Sequence, residues 1–111
     1  MIDIYLFDFE DSFTHNIYGE VCDLYDENRI EIISKQDTVK VLKRLLLEQT
    51  KKIIILGPGP GHPGEYKDVI NLIPDLKANA NLFLFGICLG HQLISRALGG
   101  CVKKSNSPSH G

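Results

Sequence analysis

Apolar and polar positions along the chain follow two alternating patterns. Four short apolar runs predict buried strands, at residues 2–8, 30–33, 52–56 and 82–85. After each run, apolar residues recur three or four positions apart, which predicts one buried helix face per segment. The predicted faces contain Phe13, Ile17, Val21 and Leu24; Val41 or Leu42, Leu45 and Leu46; Val69, Ile70, Leu72 and Ile73; and Leu93, Ile94, Ala97 and Leu98.

Polar, proline and glycine residues predict where these helices begin and end. Short polar side chains before an apolar face are typical N-caps, proline interrupts a helix, and glycine favours its C-terminal cap. The predicted ends are Asp11 or Ser12 for the start of the first helix, Asp37 or Thr38 for the second, Pro74 for the end of the third, and Gly99-Gly100 for the end of the fourth.

Four strand–helix units in succession predict an α/β fold. Nearly continuous apolar strands are typical of a parallel sheet, so we expect a three-layer, flavodoxin-like sheet with helices on both faces. Ligands of such sheets bind beyond the carboxyl ends of the strands. Three segments meet there, at residues 8–14, 57–65 and 86–90. We expect residues 1–102 to form the domain and residues 103–111 to be a polar tail in loop conformation.

Composition narrows the functional classes. Hydrophobic residues make up 43% and charged residues 23% of the chain, as in ordinary soluble globular proteins. The net charge of −2 gives no electrostatic case for nucleic acid or an anionic membrane as partner. The 3 cysteines are widely spaced and predict neither a disulfide framework nor a metal site. With no signal peptide or membrane span in the pattern, we expect a cytoplasmic protein without a cofactor.

Residues 86–90, Gly-Ile-Cys-Leu-Gly, join the fourth apolar run directly to a helical pattern. This is the pattern of a nucleophile elbow, with cysteine at the centre of the strand-to-helix turn. Unpaired backbone N–H groups and the helix dipole at that point favour a thiolate and a developing oxyanion. The alternative is that Cys88 is a buried core thiol, but a core cysteine needs no glycine two residues to each side.

Residues 57–64, Gly-Pro-Gly-Pro-Gly-His-Pro-Gly, follow the third strand. Proline stiffens a loop and removes donors, whereas glycine permits close approach of the backbone to a ligand. This composition favours a rigid loop with selected N–H groups exposed beside Cys88, as acyl transfer requires. A rigid surface loop without function is the alternative, and no Gly-Lys-Ser/Thr follows to make a phosphate-binding loop.

Three motifs together resemble the class I (triad) glutamine amidotransferase domain, and in particular the glutaminase components of anthranilate synthase and aminodeoxychorismate synthase. The motifs are residues 11–16 (Asp-Ser-Phe-Thr-His-Asn), 58–63 (Pro-Gly-Pro-Gly-His-Pro) and 86–92 (Gly-Ile-Cys-Leu-Gly-His-Gln). They span nearly the whole chain in the family's order.

The resemblance implies a role for each matched residue. Cys88 would attack the side-chain amide of glutamine, forming a glutamyl thioester and releasing ammonia. The backbone N–H groups of Gly59 and Leu89 would form the oxyanion hole. The ammonia would pass to a synthase partner that acts on chorismate. Glutamine itself would be held by Gly59, Pro60, Gly61 and Gln92.

Two departures from the family stand out. Phe9-Glu10 replaces the family's usual Asn-Tyr. The family's catalytic His-x-Glu pair lies beyond residue 111, so we expect an N-terminal portion that lacks the general base. A sheet without its later strands would expose an edge and an apolar face, and we expect aggregation or dimerisation unless something covers them.

Other readings of the same residues stay open. His62 or His91 is a possible but less favoured base, since a loop histidine is usually solvated and His91 lies on the helix after Cys88. A DJ-1-like cysteine hydrolase would use the same elbow with Glu65 or Glu10 hydrogen-bonded to the cysteine. A flavodoxin-like binding or regulatory module would dock a synthase without hydrolysing anything. Asp8, at a strand end, is expected to anchor the turn after it.

Overall fold

The computed structural model describes residues 2–10, 14–24 and 29–99. Strands and helices alternate along them, with a short 3-10 turn before α2 and another before α3. The elements are β1 (Asp3–Phe7), α1 (Thr14–Leu24), β2 (Ile30–Ile33), α2 (Thr38–Leu47), β3 (Lys52–Leu56), α3 (Lys67–Ala78), β4 (Leu82–Gly86) and α4 (Leu89–Ala97).

The four strands form one parallel sheet in the order β2-β1-β3-β4. β2 lies to one side of β1 and β3 to the other, so successive crossovers run in opposite directions. With right-handed crossovers, α1 then covers one face of the sheet and α2 the opposite face. Helices α2, α3 and α4 pack side by side. The predicted α/β sheet with helices on both faces is confirmed.

The main core lies between the sheet and the helices α2 to α4. Strand register places alternate residues of β1 and β3 next to each other on this face, Tyr5 beside Ile54 and Phe7 beside Leu56. Helix residues close the core from above, and Leu42, Leu45, Ile73, Leu76 and Leu93 are all fully buried.

The second, third and fourth predicted helix faces contribute residues to this core cluster, whereas Ile17 and Val21 of the first do not. Phe13 lies outside the described residues. The prediction was wrong for Leu98, which follows the end of α4 and is 44% exposed.

The opposite face of the sheet is covered unevenly. Ile4 and Leu6 of β1 are buried on that side, whereas Phe83 and Phe85 of the edge strand β4 are 43% and 56% exposed. The register of β4 against β3 puts both phenylalanines on the face opposite the main core. The expectation of an exposed edge strand with uncovered apolar side chains is therefore confirmed in the described residues.

Pro74 does not stop the third helix, and that prediction was wrong. Helix α3 continues through Pro74 to Ala78. The proline is exposed, while Ile73 before it and Leu76 after it are fully buried. Burial of the apolar face on both sides of the proline outweighs the one backbone hydrogen bond that proline removes.

Several predicted boundaries lie outside the described residues. These are the N-caps Asp11 and Ser12, Gly100, and the polar tail. The described residues contain no helix long and apolar enough to cross a bilayer. Asp8 is confirmed as an anchor of its turn, because its Oδ1 accepts hydrogen bonds from the Glu10 N–H and the Thr14 hydroxyl, both at 2.8 Å.

The depth of the core predicts a large difference between two leucines of α2. Leu42→Ala should lower the free energy of unfolding by about 2–5 kcal/mol, because it removes buried methyl groups and leaves a cavity. Leu47, on the same helix, is 83% exposed. Leu47→Ala should cost less than about 0.5 kcal/mol. Urea denaturation of both variants tests this, and equal losses would contradict the assignment of the core.

Candidate active site

Cys88 occupies the turn between β4 and α4 in a strained conformation. Its φ of 53° and ψ of −111° lie on the side of conformational space that non-glycine residues rarely adopt. Such a residue costs about 1–3 kcal/mol and persists only where its surroundings enforce it. Cys88 is also the N-cap residue of α4. The predicted elbow geometry is thus present.

Close backbone contacts enforce this turn. A Cβ on Gly86 would lie 2.5 Å from the Gly90 carbonyl carbon and 2.5 Å from the His91 nitrogen. A Cβ on Gly90 would overlap the carbonyl of Leu56. Both distances are shorter than any real carbon contact, so only glycine fits at either position. Gly90 is therefore required by the crossing of α4 over the end of β3, and Gly86 by the closeness of the first turn of α4 to the end of β4.

Two hydrogen bonds fasten the elbow to the end of β3. The Ile87 N–H donates to the Leu56 carbonyl at 2.9 Å, and the Gly90 N–H donates to the Gly57 carbonyl at 3.2 Å. Because Leu56 and Gly57 are consecutive, the elbow is held at the point where the glycine–proline loop begins. The position of Cys88 relative to that loop is consequently fixed by backbone groups.

The thiol of Cys88 is accessible. Cys88 is exposed, and it forms no disulfide within the described residues. The alternative of a buried core thiol is therefore wrong. Its neighbour Leu89 is 3% exposed and packs into the core, so the elbow is anchored by the residue after the cysteine.

The glycine–proline loop lies directly against the elbow. A Cβ on Gly59 would overlap the Cβ of Phe9 on one side, and it would lie 3.2 Å from Leu89 Cδ2 on the other. Gly59 is thus held between the loop after β1 and the start of α4. Among the described residues, neither the Gly59 N–H nor the Leu89 N–H donates a hydrogen bond to another protein group. Their role as the two donors of an oxyanion hole stays a prediction.

Tyr66 closes the far end of this loop. Its hydroxyl donates to the Pro60 carbonyl at 2.9 Å, and its ring meets the Phe9 ring edge-on with centroids 5.3 Å apart. The loop's own histidine is used locally, because His62 Nδ1 accepts the Gly64 N–H at 2.9 Å and caps the 3-10 turn. Both contacts make the loop rigid, as its composition predicted.

A cavity of about 390 Å³ opens in front of Cys88, between α1, the loop and the elbow. Helix α1 supplies an amide and a carboxylate to its wall, while the remaining walls are mostly apolar. Its described lining residues are Asn16, Ile17, Glu20, Pro58, Ile87 and Cys88.

The histidines and glutamates considered as partners of Cys88 do not line this cavity in the described residues. Neither His62 nor His91 is among its lining. Glu10 lies 3.9 Å from Lys35, and the Glu65 carboxylate lies beside Gly61. The described residues also contain no cluster of metal-ligating side chains. In the described residues, neither Glu10 nor Glu65 makes the contact with Cys88 that the DJ-1-like alternative requires of them, whereas Glu20 shares the cavity wall with Cys88.

Comparison with known families shows to which family this chain belongs. Residues 5–111 match the family described as glutamine amidotransferase class-I. The chain belongs to this family.

Curated proteins similar to this amidotransferase chain are anthranilate synthase components. Anthranilate synthase component 2 of Thermococcus kodakarensis is 39% identical over 101 residues, covering 91% of this chain and 48% of the relative. The pyocyanine-specific component 2 of Pseudomonas aeruginosa is 35% identical over 109 residues, covering 97% and 52%. Component 2 of Methanothermobacter thermautotrophicus is 36% identical over 116 residues, covering 100% and 57%. The chain spans about half the length of these relatives.

Sequence reasoning found only part of the candidate site. It located Cys88 and the loop, because glycine and proline mark both. It did not find the cavity wall formed by Asn16 and Glu20 of α1, nor the support of the loop by Tyr66. Gln92 donates its N–H to the Cys88 carbonyl at 3.0 Å, but it is not among the described lining residues of the cavity.

The strain at Cys88 predicts an inverted order of stability. Cys88→Gly should be more stable than Cys88→Ala by about 1–2 kcal/mol, because only glycine adopts this backbone conformation without cost. Cys22 lies within helix α1. At position 22, inside the helix, the alanine variant should be more stable than the glycine variant by about 1 kcal/mol. Urea denaturation of the four variants gives the order, and alanine above glycine at both positions would show that Cys88 is unstrained.

Proposed function

We propose that this chain is the nucleophile-bearing part of a glutaminase that releases ammonia from glutamine. The observation that carries the proposal is the exposed, strained Cys88 at the start of α4, beside a loop whose Gly59 N–H has no described protein acceptor. A nucleophile and preorganised donors at one point are what amide cleavage requires.

The proposed reaction begins with attack of the Cys88 sulfur on the side-chain amide carbon of glutamine. The developing oxyanion accepts hydrogen bonds from the N–H groups of Gly59 and Leu89, where removal of one donor typically costs about 3–4 kcal/mol. The carbon–nitrogen bond then breaks, a proton goes to the leaving nitrogen, and ammonia departs. Water hydrolyses the remaining glutamyl thioester to glutamate and restores the thiol.

Binding of glutamine is proposed beside Cys88, where the cavity adjoins the glycine–proline loop at Pro58. The four residues that the resemblance implies are not among the described lining of the cavity itself. The backbone of Gly59, Pro60 and Gly61 and the side chain of Gln92 would hold the substrate, as the family resemblance implies. Support comes from the loop's position against Leu89 and from the exposure of Gln92 one helical turn beyond Cys88. The cavity volume of about 390 Å³ is within the usual range of small-molecule sites.

The general base is proposed to lie in a part of the protein that the structure does not describe. The cavity lining contains no histidine among the described residues. His62 Nδ1 already accepts the Gly64 N–H. These two observations do not favour His62 or His91 as the group that takes a proton from Cys88.

A chorismate-using synthase is the proposed recipient of the ammonia. The similar proteins of Thermococcus kodakarensis and Pseudomonas aeruginosa are named as components of anthranilate synthase. These names favour anthranilate synthesis over aminodeoxychorismate synthesis for the partner. A cytoplasmic location is proposed as well, because Cys22 and Cys88 are free thiols, which a reducing compartment preserves.

Covalent labelling tests the nucleophile. A diazoketone analogue of glutamine should form a thioether at Cys88 with loss of dinitrogen, and glutamine should protect against it. Cys88→Ala should abolish the labelling, and Cys22→Ala should leave it intact. Peptide mass spectrometry locates the adduct. Labelling that glutamine does not slow, or labelling at Cys22 alone, would overturn the proposed function.

Turnover tests the position of the base. The 111-residue chain should release ammonia from glutamine about 100- to 10,000-fold more slowly than the longer component 2 of Thermococcus kodakarensis, because a positioned base contributes that much. Coupled measurement of ammonia gives both rates, with Cys88→Ala as the blank. A rate within about tenfold of that relative would place a working base among these residues.

A further inference from the structure

We propose that Tyr66 is a positioning residue for the Gly59 N–H, fixing this donor through the hydroxyl contact with Pro60 and the ring contact with Phe9. The inference rests on the proposed function, since it assigns a role in stabilising the oxyanion. It concerns two aromatic residues that none of the three family motifs contains.

The hydroxyl contact is anchored at a rigid point. Tyr66 is 8% exposed and immediately precedes α3, so its backbone is fixed by the first turn of a helix that packs in the core. Its hydroxyl donates to the Pro60 carbonyl at 2.9 Å across six residues of loop. This bond therefore ties the middle of the glycine–proline loop to the core.

Proline carries this constraint back to Gly59. The ring of Pro60 locks its own φ near −65°, so a fixed carbonyl of Pro60 also restricts the peptide that joins it to Gly59. Without the bond, Gly59 and Gly61 would leave the segment free to rotate on both sides of the proline. The Tyr66 hydroxyl thus restricts the peptide that follows Gly59. The Gly59 N–H lies on the other side of the Gly59 φ and ψ, and the close packing of Gly59 on Phe9 restricts these two angles.

Phe9 packs against Gly59 and restricts it as well. It is fully buried, and its ring meets the Tyr66 ring at an interplanar angle of 72°. Gly59 rests on Phe9 so closely that a Cβ there would be 2.7 Å from the Phe9 carbonyl oxygen. Phe9 therefore provides the surface on which Gly59 and Tyr66 both pack.

The outer side of the Tyr66 ring is also occupied. Lys35 Nζ lies 5.4 Å from the ring centroid and 3.9 Å from Glu10 Oε1. A cation over an aromatic face contributes about 0.5–1 kcal/mol at an exposed site. The ring is consequently held from both sides, with its hydroxyl directed to the loop.

Two alkylating reagents separate positioning from a general structural effect. The diazoketone analogue of glutamine carries its carbonyl where the amide carbonyl lies, so its reaction with Cys88 depends on the oxyanion donors. Iodoacetamide alkylates the thiol without that alignment. Tyr66→Phe removes only the hydroxyl. It should slow the diazoketone reaction by about 3- to 10-fold, the range expected for one neutral hydrogen bond, and leave the iodoacetamide rate unchanged.

Tyr5→Phe is the matched control. Tyr5 is also 8% exposed, and burial raises the pKa of its phenol, with Asp3 and Glu31 adding to that rise. Tyr5 does not line the Cys88 cavity, and Tyr5→Phe should leave both rates as they are in the unmodified protein.

The outcomes are distinct. A Tyr66→Phe variant that reacts more slowly with the diazoketone, but at the unchanged rate with iodoacetamide, supports the positioning role. Equal rates in Tyr66→Phe and the unmodified protein, or a proportional fall with both reagents, would overturn it, since the hydroxyl would then be dispensable or merely structural. Failure of the unmodified protein to react with the diazoketone at Cys88 would overturn the proposed function, and the role of Tyr66 with it.

Discussion

The carboxyl end of β3 is the constraint on which the site depends. Two consecutive carbonyls there, of Leu56 and Gly57, accept the N–H groups of Ile87 and Gly90. Helix α4 must cross this strand end so closely that no side chain fits at Gly90. The same strand end begins the glycine–proline loop, so nucleophile and loop share one anchor. A displacement of β3 would move both together and preserve their relation.

The turn holds Cys88 in a strained backbone conformation, and burial of apolar residues of α4 offsets the cost of that strain. Cys88 has a backbone conformation that costs about 1–3 kcal/mol, a large share of the marginal stability of a small domain. Leu89 and Leu93, the first and fifth residues of α4, are buried in the core and hold the helix in place. Burial of two leucines contributes about 3–6 kcal/mol by transfer of apolar surface, which is enough to maintain the turn. The thiol therefore remains exposed on a helix that is firmly packed.

Rigidity of the loop has two sources of different kinds. Proline restricts the backbone locally, whereas Phe9 and Tyr66 restrict it through contacts between residues distant in sequence. Phe9 is fully buried, so its contacts restrict the loop without exposing apolar surface. A small apolar cluster thus supports the backbone donor that the proposed chemistry uses.

The sequence by itself determined the succession of strands and helices along the chain, the parallel sheet, the elbow at Cys88 and the glycine–proline loop. Each of these follows from a local pattern: hydrophobic periodicity, or glycine and proline at particular positions. Only the tertiary structure decided that α3 continues through Pro74, since the burial of Leu76 after the proline depends on packing against the sheet. It also decided that α1 supplies Asn16 and Glu20 to the cavity and that Tyr66 reaches Pro60. These contacts join segments whose distance in space no local pattern encodes.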